Sequence, residues 1–330
     1  MNRKIKFVIV GSGNIANTYV SAIQNIDNAK IVAAISKRLK APTKQKDLPA
    51  FASLSEVNID FDAVIICTPP GLHHLNAIEA ASLNKHVFCE KPLDVTLSAM
   101  DDMITACKKN NVLLGVAYQR RYSSDNPVIK KLLHENKLGK IFSVDLSVKN
   151  YRDDNYYNSA PYRGTKDIDG GGPFVQQASH YIDLYNWYFG KPSKIVSKLN
   201  TFAHNIEVED HGAAICTHDS GMISTITAST VCKPGFPAKL EIYTSKGYLI
   251  MENDMITHWD MEDLENPTTQ SETGNTHTGA ATALVEDTTN HEFLINDFIK
   301  SINTGKEPLI NGEDAKKASE IILEIYDSQF

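Results

Sequence analysis

The chain has 330 residues, of which 42% are hydrophobic and 22% charged, and carries a formal net charge of −7. That length fits about two domains with substantial cores, and the acidic balance argues against nucleic acid, whose phosphates need a basic surface. No apolar run reaches the roughly 18–20 residues of a membrane-crossing helix.

The start of the chain passes straight into a strand pattern, without the apolar core and cleavage site of a signal peptide. A cytoplasmic protein with no membrane partner is expected. The five cysteines, Cys67, Cys89, Cys107, Cys216 and Cys232, form no Cys-x-x-Cys pair. Reduced, mostly buried thiols are expected rather than a disulfide framework or a zinc site.

Lys6–Val10 reads as a buried strand and Ile15–Ile26 as an amphipathic helix. Strands follow at Ile31–Ile35, Ala63–Cys67, His86–Cys89 and Val112–Val116, with helices at Leu75–Leu83 and Ser98–Lys109. Strands alternating with helices imply right-handed βαβ units, hence a Rossmann-type, doubly wound parallel sheet. The pattern changes after Tyr118. A helix at Asn126–Glu135 has Pro127 in its first turn. Strands then succeed one another at Ile141–Val148, Lys194–Leu199, Ala213–Thr217, Ile223–Thr230, Leu240–Thr244 and Tyr248–Glu252. Asp219-Ser220-Gly221 and Ser245-Lys246-Gly247 mark hairpin turns. Asp260–Asn290 reads as a long polar loop, and helices close the chain at Glu292–Ile302 and Glu313–Asp327. The expected architecture is an α/β domain over residues 1–121 and an α+β domain, with a mainly antiparallel open sheet, over residues 122–330.

Gly11-Ser12-Gly13-Asn14-Ile15-Ala16 lies between the first strand and the first helix, where G-x-G-x-x-A binds a dinucleotide. Gly11 allows the tight turn, Gly13 lets the backbone approach the pyrophosphate, and Ala16 lets the helix pack close. The helix N-terminus faces the phosphates. Ser36-Lys37-Arg38 ends the second strand where an acidic residue selects NAD. A hydroxyl and two cations suit a 2′-phosphate, so NADP is preferred over NAD. Thr68-Pro69-Pro70-Gly71-Leu72-His73 and Glu90-Lys91-Pro92 follow two further strands, at the carboxyl edge where such sheets bind ligands. Thr68, Pro69, His73, Glu90 and Lys91 are therefore expected beside the cofactor. A partly desolvated Lys91 can serve as general acid or base.

Gly170-Gly171-Gly172 reads as a place where the backbone runs close to a ligand or another chain. Gln176, His180 and Asp183 follow at spacings that put them on one face of a helix. A single histidine there does not make a metal site. Tyr156, Tyr157, Tyr162 and Arg163 form a candidate sugar-binding loop. Arg120, Arg121 and Arg163 are candidate forks for a carboxylate or phosphate.

GSGNIA, TPPGLH, KHVFCEKP, GVAYQRRY, DGGGPFVQQASHYIDLYNWYFG and INDFIKSINTGKEPLINGEDAKKA together resemble the glucose–fructose oxidoreductase/inositol dehydrogenase (Gfo/Idh/MocA) family, over nearly the whole chain. The resemblance implies hydride transfer between a nicotinamide and a ring carbinol of a sugar, sugar nucleotide or cyclic polyol. It gives Lys91 the place beside the reacting carbinol and makes His180 the histidine that assists proton transfer. It also implies a homodimer or homotetramer built through the C-terminal sheet. Many members carry an aspartate four residues before the histidine; here Gln176 stands there, and an amide is no base. Arg120, Tyr162, Arg163, Gln176 and Gln177 join Lys91 and His180 as expected substrate contacts. The YY…RGT…GGG…Q…H pattern looks like the nucleotide-sugar uronate 3-dehydrogenase branch. An NAD-dependent glycosidase and a non-catalytic dinucleotide sensor remain the alternatives on the same fold.

Overall fold

The computed structural model describes residues 3–268 and 287–330. They form two compact units, each with its own sheet. The first contains β1 (Ile5–Val10), α1 (Asn14–Gln24), β2 (Ala29–Ile35), β3 (Ala50–Phe51), β4 (Ala63–Ile66), α2 (His73–Ser82), β5 (His86–Cys89), α3 (Leu97–Lys109) and β6 (Leu114–Val116). Its strands run in the order β3-β2-β1-β4-β5-β6, all parallel. That is the expected doubly wound order. β1 lies at the centre with Phe7, Val8, Ile9 and Val10 all buried. A strand covered on both faces must be apolar on both, which is why KFVIV does not alternate. Thr96 caps α3 by accepting the Ala99 N–H at 3.2 Å, as a hydroxyl at that position should.

The second unit begins at Arg120. It contains α4 (Asn126–His134), β7 (Ile141–Lys149), α5 (Asp154–Asn158), α6 (Pro173–Gln176), α7 (Ser179–Phe189), β8 (Lys194–Asn200), β9 (His211–Thr217), β10 (Ile223–Ser229), β11 (Lys239–Thr244), β12 (Gly247–Glu252) and β13 (Met255–Met261). The sheet order is β13-β12-β11-β7-β10-β9-β8. All pairs are antiparallel except β7 with β10. A parallel pair needs a long crossover, and α5 to β9 lie within it. Val144, Leu146 and Val148 of β7 share the core face with Ser224, Ile226 and Ala228 of β10. The alternation in β10 left its buried face open; packing decides it, with Ile223, Thr225 and Thr227 turned outward. The buried Ser224 hydroxyl is 2.5 Å from the Tyr185 hydroxyl, which also lies 2.5 Å from His218 Nε2.

Three expectations change. The chain after residue 121 does not all belong to the second unit. The helix α8 (Thr289–Thr304) returns to the first, and the chain end from Lys317 belongs to the second. α8 buries Leu294, Ile295, Phe298 and Ile299. The Phe298 ring lies 5.3 Å from Phe88, and Gly115 has no Cβ because one would sit 2.9 Å from Phe298. Gly305, in the left-handed region, ends the helix. The last helix is α9 (Gly312–Asp327).

The long loop expected over Asp260–Asn290 is also revised at its start. β13 reaches Met261 and pairs with β12, and most of the remainder lies outside the described residues. Finally, the helix expected after Gly172 is two helices, α6 and α7, separated by Gln177 and Ala178.

Candidate active site

β1 delivers the chain directly into the glycine turn. The Gly11 N–H donates to the Ile35 carbonyl at 2.8 Å, and Gly11 has φ +111°. A Cβ there would lie 2.8 Å from the Cys67 carbonyl oxygen. Gly11 is therefore required by the chain's own packing. Gly13 differs, because a Cβ on it would meet nothing of the chain within 4 Å. It caps α1 without a side-chain hydrogen bond, and no acid stands in the first turn. The first N–H groups of a helix lack intrahelical partners, and here the backbone at Gly13 is unobstructed and no acid stands in the first turn. These residues fit a dinucleotide pyrophosphate. Ala16 is fully buried. The hydroxyls of Ser12 and Ser36 are 3.5 Å apart, so the end of β2 stands beside the turn. Lys37 and Arg38 are exposed there, and Asn14 is exposed at the start of α1.

The ends of β4 and β5 carry the second group. Thr68, Pro69 and Lys91 are half-buried, and the Lys91–Pro92 bond is cis. His73 is fully buried. Its Nε2 lies 2.8 Å from the Thr68 carbonyl oxygen and its Nδ1 3.0 Å from that of Pro92. The expected cofactor contact by this imidazole is not what the packing shows, since both nitrogens face backbone carbonyls. Glu90 is 8% exposed and accepts the Tyr19 hydroxyl at 2.5 Å and the Lys91 N–H at 3.2 Å. Tyr19 sits on the apolar face of α1 and reads in sequence as core alone.

In the second unit the glycine run has an internal cause. A Cβ on Gly171 would lie 2.2 Å from the Tyr326 hydroxyl, and one on Gly172 would lie 1.9 Å from the Glu209 carbonyl oxygen. The close approach expected for a ligand or another chain is made by this chain itself. Gln176 ends α6 and donates from Nε2 to the Asp169 carbonyl at 2.6 Å. His180 stands in the first turn of α7 and is half-buried. Asp183 does not share a ligand-facing surface with them. It is fully buried and takes Arg121 through two bonds, Nε at 2.7 Å and Nη2 at 2.5 Å. Arg121, a candidate anion fork, is thus committed to the core. Arg120 pairs with Asp254 and lies 4.5 Å over the Tyr181 ring.

Arg163 keeps the expected neighbourhood. It stacks 4.3 Å over Tyr156 and 5.7 Å from Tyr162, and donates to the Ser159 hydroxyl at 2.9 Å. Gln177 donates to the Tyr156 hydroxyl at 3.3 Å. Tyr156, Arg163 and Gln177 are therefore brought together. Burial pushes the Tyr162 hydroxyl above its usual range. Among the described residues no three His, Cys, Asp or Glu side chains are grouped to hold a metal ion, and no helix is long and apolar enough to cross a membrane.

Comparison with known proteins follows the same division. Residues 5–118 match the family model described as "Oxidoreductase family, NAD-binding Rossmann fold", and residues 128–250 match the GFO/IDH/MocA C-terminal domain. Myo-inositol 2-dehydrogenase of Thermotoga maritima is 24% identical over 321 residues, covering 94% of this chain and 92% of that protein. The scyllo-inositol 2-dehydrogenase (NADP(+)) IolW of Bacillus subtilis is 27% identical over 63% of this chain and 58% of its own length. Among solved structures, the WlbA dehydrogenase of Bordetella pertussis, in complex with NADH and UDP-GlcNAcA, has a TM-score of 0.87. It is 28% identical, covering 99% of this chain and 96% of that one.

Glu209 is the buried acid that composition alone would not single out. It accepts the Tyr326 hydroxyl at 2.8 Å, the Gly172 N–H at 3.2 Å and the Phe174 N–H at 3.3 Å, so it fixes the segment leading into Gln176. Burial pushes its carboxyl up to about 6 from an ordinary 4.5, against those hydrogen bonds. The folded state then holds the proton more tightly than the unfolded chain. Ionisation costs stability as pH rises from below the unfolded value through the folded one. Gln cannot titrate. The stability of the native protein relative to Glu209→Gln is therefore expected to fall by about 2 kcal/mol between about pH 4 and about pH 7.5. Denaturant titrations of both proteins across that range measure it, and a constant difference would contradict it.

Proposed function

The chain belongs to the GFO/IDH/MocA oxidoreductase family and is an NAD(P)-dependent dehydrogenase of CH–OH groups; from that premise we propose that it oxidises a ring carbinol of a sugar, sugar nucleotide or cyclic polyol, with Lys91 handling the hydroxyl proton. The observation that carries this reading is the position of Lys91, half-buried just past the carboxyl end of β5. It lies in the same unit as the open Gly13 turn and the uncapped start of α1. When bound, the dinucleotide supplies the hydride acceptor or donor at nicotinamide C4.

The chain's own residues supply the rest. The turn Gly11, Ser12, Gly13, Asn14 and Ile15 would hold the pyrophosphate at the α1 N-terminus. Thr68, Pro69, Glu90 and Lys91 would border the nicotinamide end. Lys91 as a neutral amine takes the hydroxyl proton during oxidation, and as an ammonium returns it during reduction. His180 orients the substrate or passes the proton onward. Gln176 cannot accept a proton, so the aspartate role of many relatives is absent here and the proton-transfer roles rest on Lys91 and His180. Tyr162, Arg163 and Gln177 contribute hydroxyl and anion contacts. Arg120 closes the set from its Asp254 pair.

Ser36, Lys37 and Arg38 support NADP over NAD. They offer a hydroxyl and two exposed cations beside Ser12, with no acid to repel a 2′-phosphate. Arg163, stacked between aromatic rings, supports an anionic substrate such as a sugar-nucleotide uronate. A second copy of the chain covers the outward face of the sheet in this reading. Val196, Ile215 and Thr225 lie in one cross-strand row there, with Val196 36% and Ile215 57% exposed.

Lys91→Ala is expected to lose turnover by at least about a thousandfold while still binding dinucleotide; full activity rejects the assignment. Assays pair NAD and NADP with myo-inositol and UDP-N-acetylglucosaminuronate. The KM for NADP should be the lower, and a strong preference for NAD would sink that part. In sedimentation the protein should run as a dimer or tetramer and Ile215→Glu as a smaller species; a monomeric parent protein overturns the docking face.

A further inference from the structure

Lys91 carries its ammonium on a flexible four-carbon stem, so aiming it requires a fixed backbone. Buried side chains hold the backbone before and after this residue, at the Lys91 N–H and at the Pro92 carbonyl. On one side the Lys91 N–H donates to Glu90, whose other carboxylate oxygen accepts the Tyr19 hydroxyl at 2.5 Å. On the other side the His73 ring lies between the Pro92 and Thr68 carbonyls, at 3.0 and 2.8 Å. Whichever ring nitrogen carries hydrogen, it has a carbonyl to donate to.

We propose that Tyr19 and His73 are positioning residues for Lys91, acting through the Glu90 carboxylate and the Pro92 carbonyl. The proposal rests on the reading of Lys91 given above and adds the frame that makes it effective. Tyr19 lies one helical turn beyond Ala16 on α1, the helix whose N-terminus would hold the pyrophosphate. The two hydrogen bonds from Tyr19 through Glu90 to the Lys91 N–H thereby tie the phosphate-binding helix to the reacting group. His73 ties the β4 loop to the same turn.

The surroundings keep this frame in one state. Tyr19 is fully buried, with its ring 5.4 Å from His291 and 6.0 Å from Phe88, both edge-on. Burial, and next the Glu90 carboxylate, hold the Tyr19 hydroxyl well above its usual range, so it stays a donor. Burial likewise raises the thiols of Cys67 and Cys89, and the same carboxylate adds to it. Burial lowers the His291 imidazole despite Glu90 and Asp287. Tyr19, Cys67, Cys89 and His291 beside Glu90 are thus held toward their neutral forms, and Tyr19 donates to its carboxylate. A buried charge in such a place depends strongly on each hydrogen bond it receives.

The test uses the full chain with Tyr19→Phe, Glu90→Gln, the pair combined, and His73→Asn. Myo-inositol and UDP-N-acetylglucosaminuronate serve as probes with NAD and NADP. Tyr19→Phe keeps the packed ring and is expected to lower kcat about tenfold, with the dinucleotide KM within about twofold. In the combined variant the loss should not exceed that of Glu90→Gln alone, because both changes break one path. A second readout needs no substrate: the rate of reductive methylation at Lys91, followed by peptide mass spectrometry. It should rise about threefold in Tyr19→Phe and in His73→Asn as the turn loosens. Unchanged kcat in Tyr19→Phe, losses that multiply in the combined variant, or an unchanged methylation rate each overturn the proposal. Lys91→Ala separates the two claims. If it still turns over, the reading of Lys91 fails, while the methylation rates judge the frame by themselves.

Discussion

The first unit depends on the pairing of β1 between β2 and β4. Buried on both faces and hydrogen-bonded on both edges, β1 cannot shift register without exposing four apolar residues or stranding backbone groups. That pairing brings the Cys67 carbonyl against Gly11 and forces the turn that aims α1. Every ligand-facing feature of the unit is measured from this line. The Gly13 opening, the Ser36 end of β2 and the loops after β4 and β5 all lie at the carboxyl edge of one parallel sheet.

Around that frame, buried polar side chains hold several of the loops. His73 joins two loops through their carbonyls, and Tyr19 reaches Glu90 beside the turn that carries Lys91. In the second unit, Arg121 and Asp183 form a forked ion pair with both side chains nearly inaccessible. Such a pair adds little net stability against an apolar replacement, but removing one partner leaves an uncompensated buried charge. Its value is directional, since it fixes α7 and so the first turn that carries His180. Glu209 does the same for the segment before Gln176, at the cost of ionising a buried carboxyl. Loops placed this way are specified by a few strong bonds, which suits residues that must meet a ligand at defined positions.

Much of this was legible in the sequence, residue by residue. GSGNIA identified the turn because its spacing of small residues has one physical use between a strand and a helix. The doubly wound parallel sheet followed from alternation and crossover handedness, and the family resemblance brought out Lys91 and His180. The errors share a cause. Asp183 looked like a site residue from helical spacing, but spacing says nothing about what lies opposite, and Arg121 lies there. Gly171 and Gly172 looked like room for a ligand, but the atoms filling that room come from Glu209 and Tyr326, dozens of positions away. Tyr19 was invisible as a polar residue because its ring fits the apolar face of α1, and only the fold reveals what its hydroxyl meets.

The sequence by itself determined the two sheet types, the dinucleotide turn and the family. All of these rest on local periodicity or on motifs whose chemistry is complete within a few residues. Tertiary structure alone decided that α8 returns to the first unit and that β7 pairs in parallel with β10. It also decided which face of β10 is buried, and which of the conspicuous acids and arginines are spent on one another. These are matters of long-range partnership. A side chain's chemistry can be read from its own position, but whether that chemistry is available depends on the groups the fold sets against it.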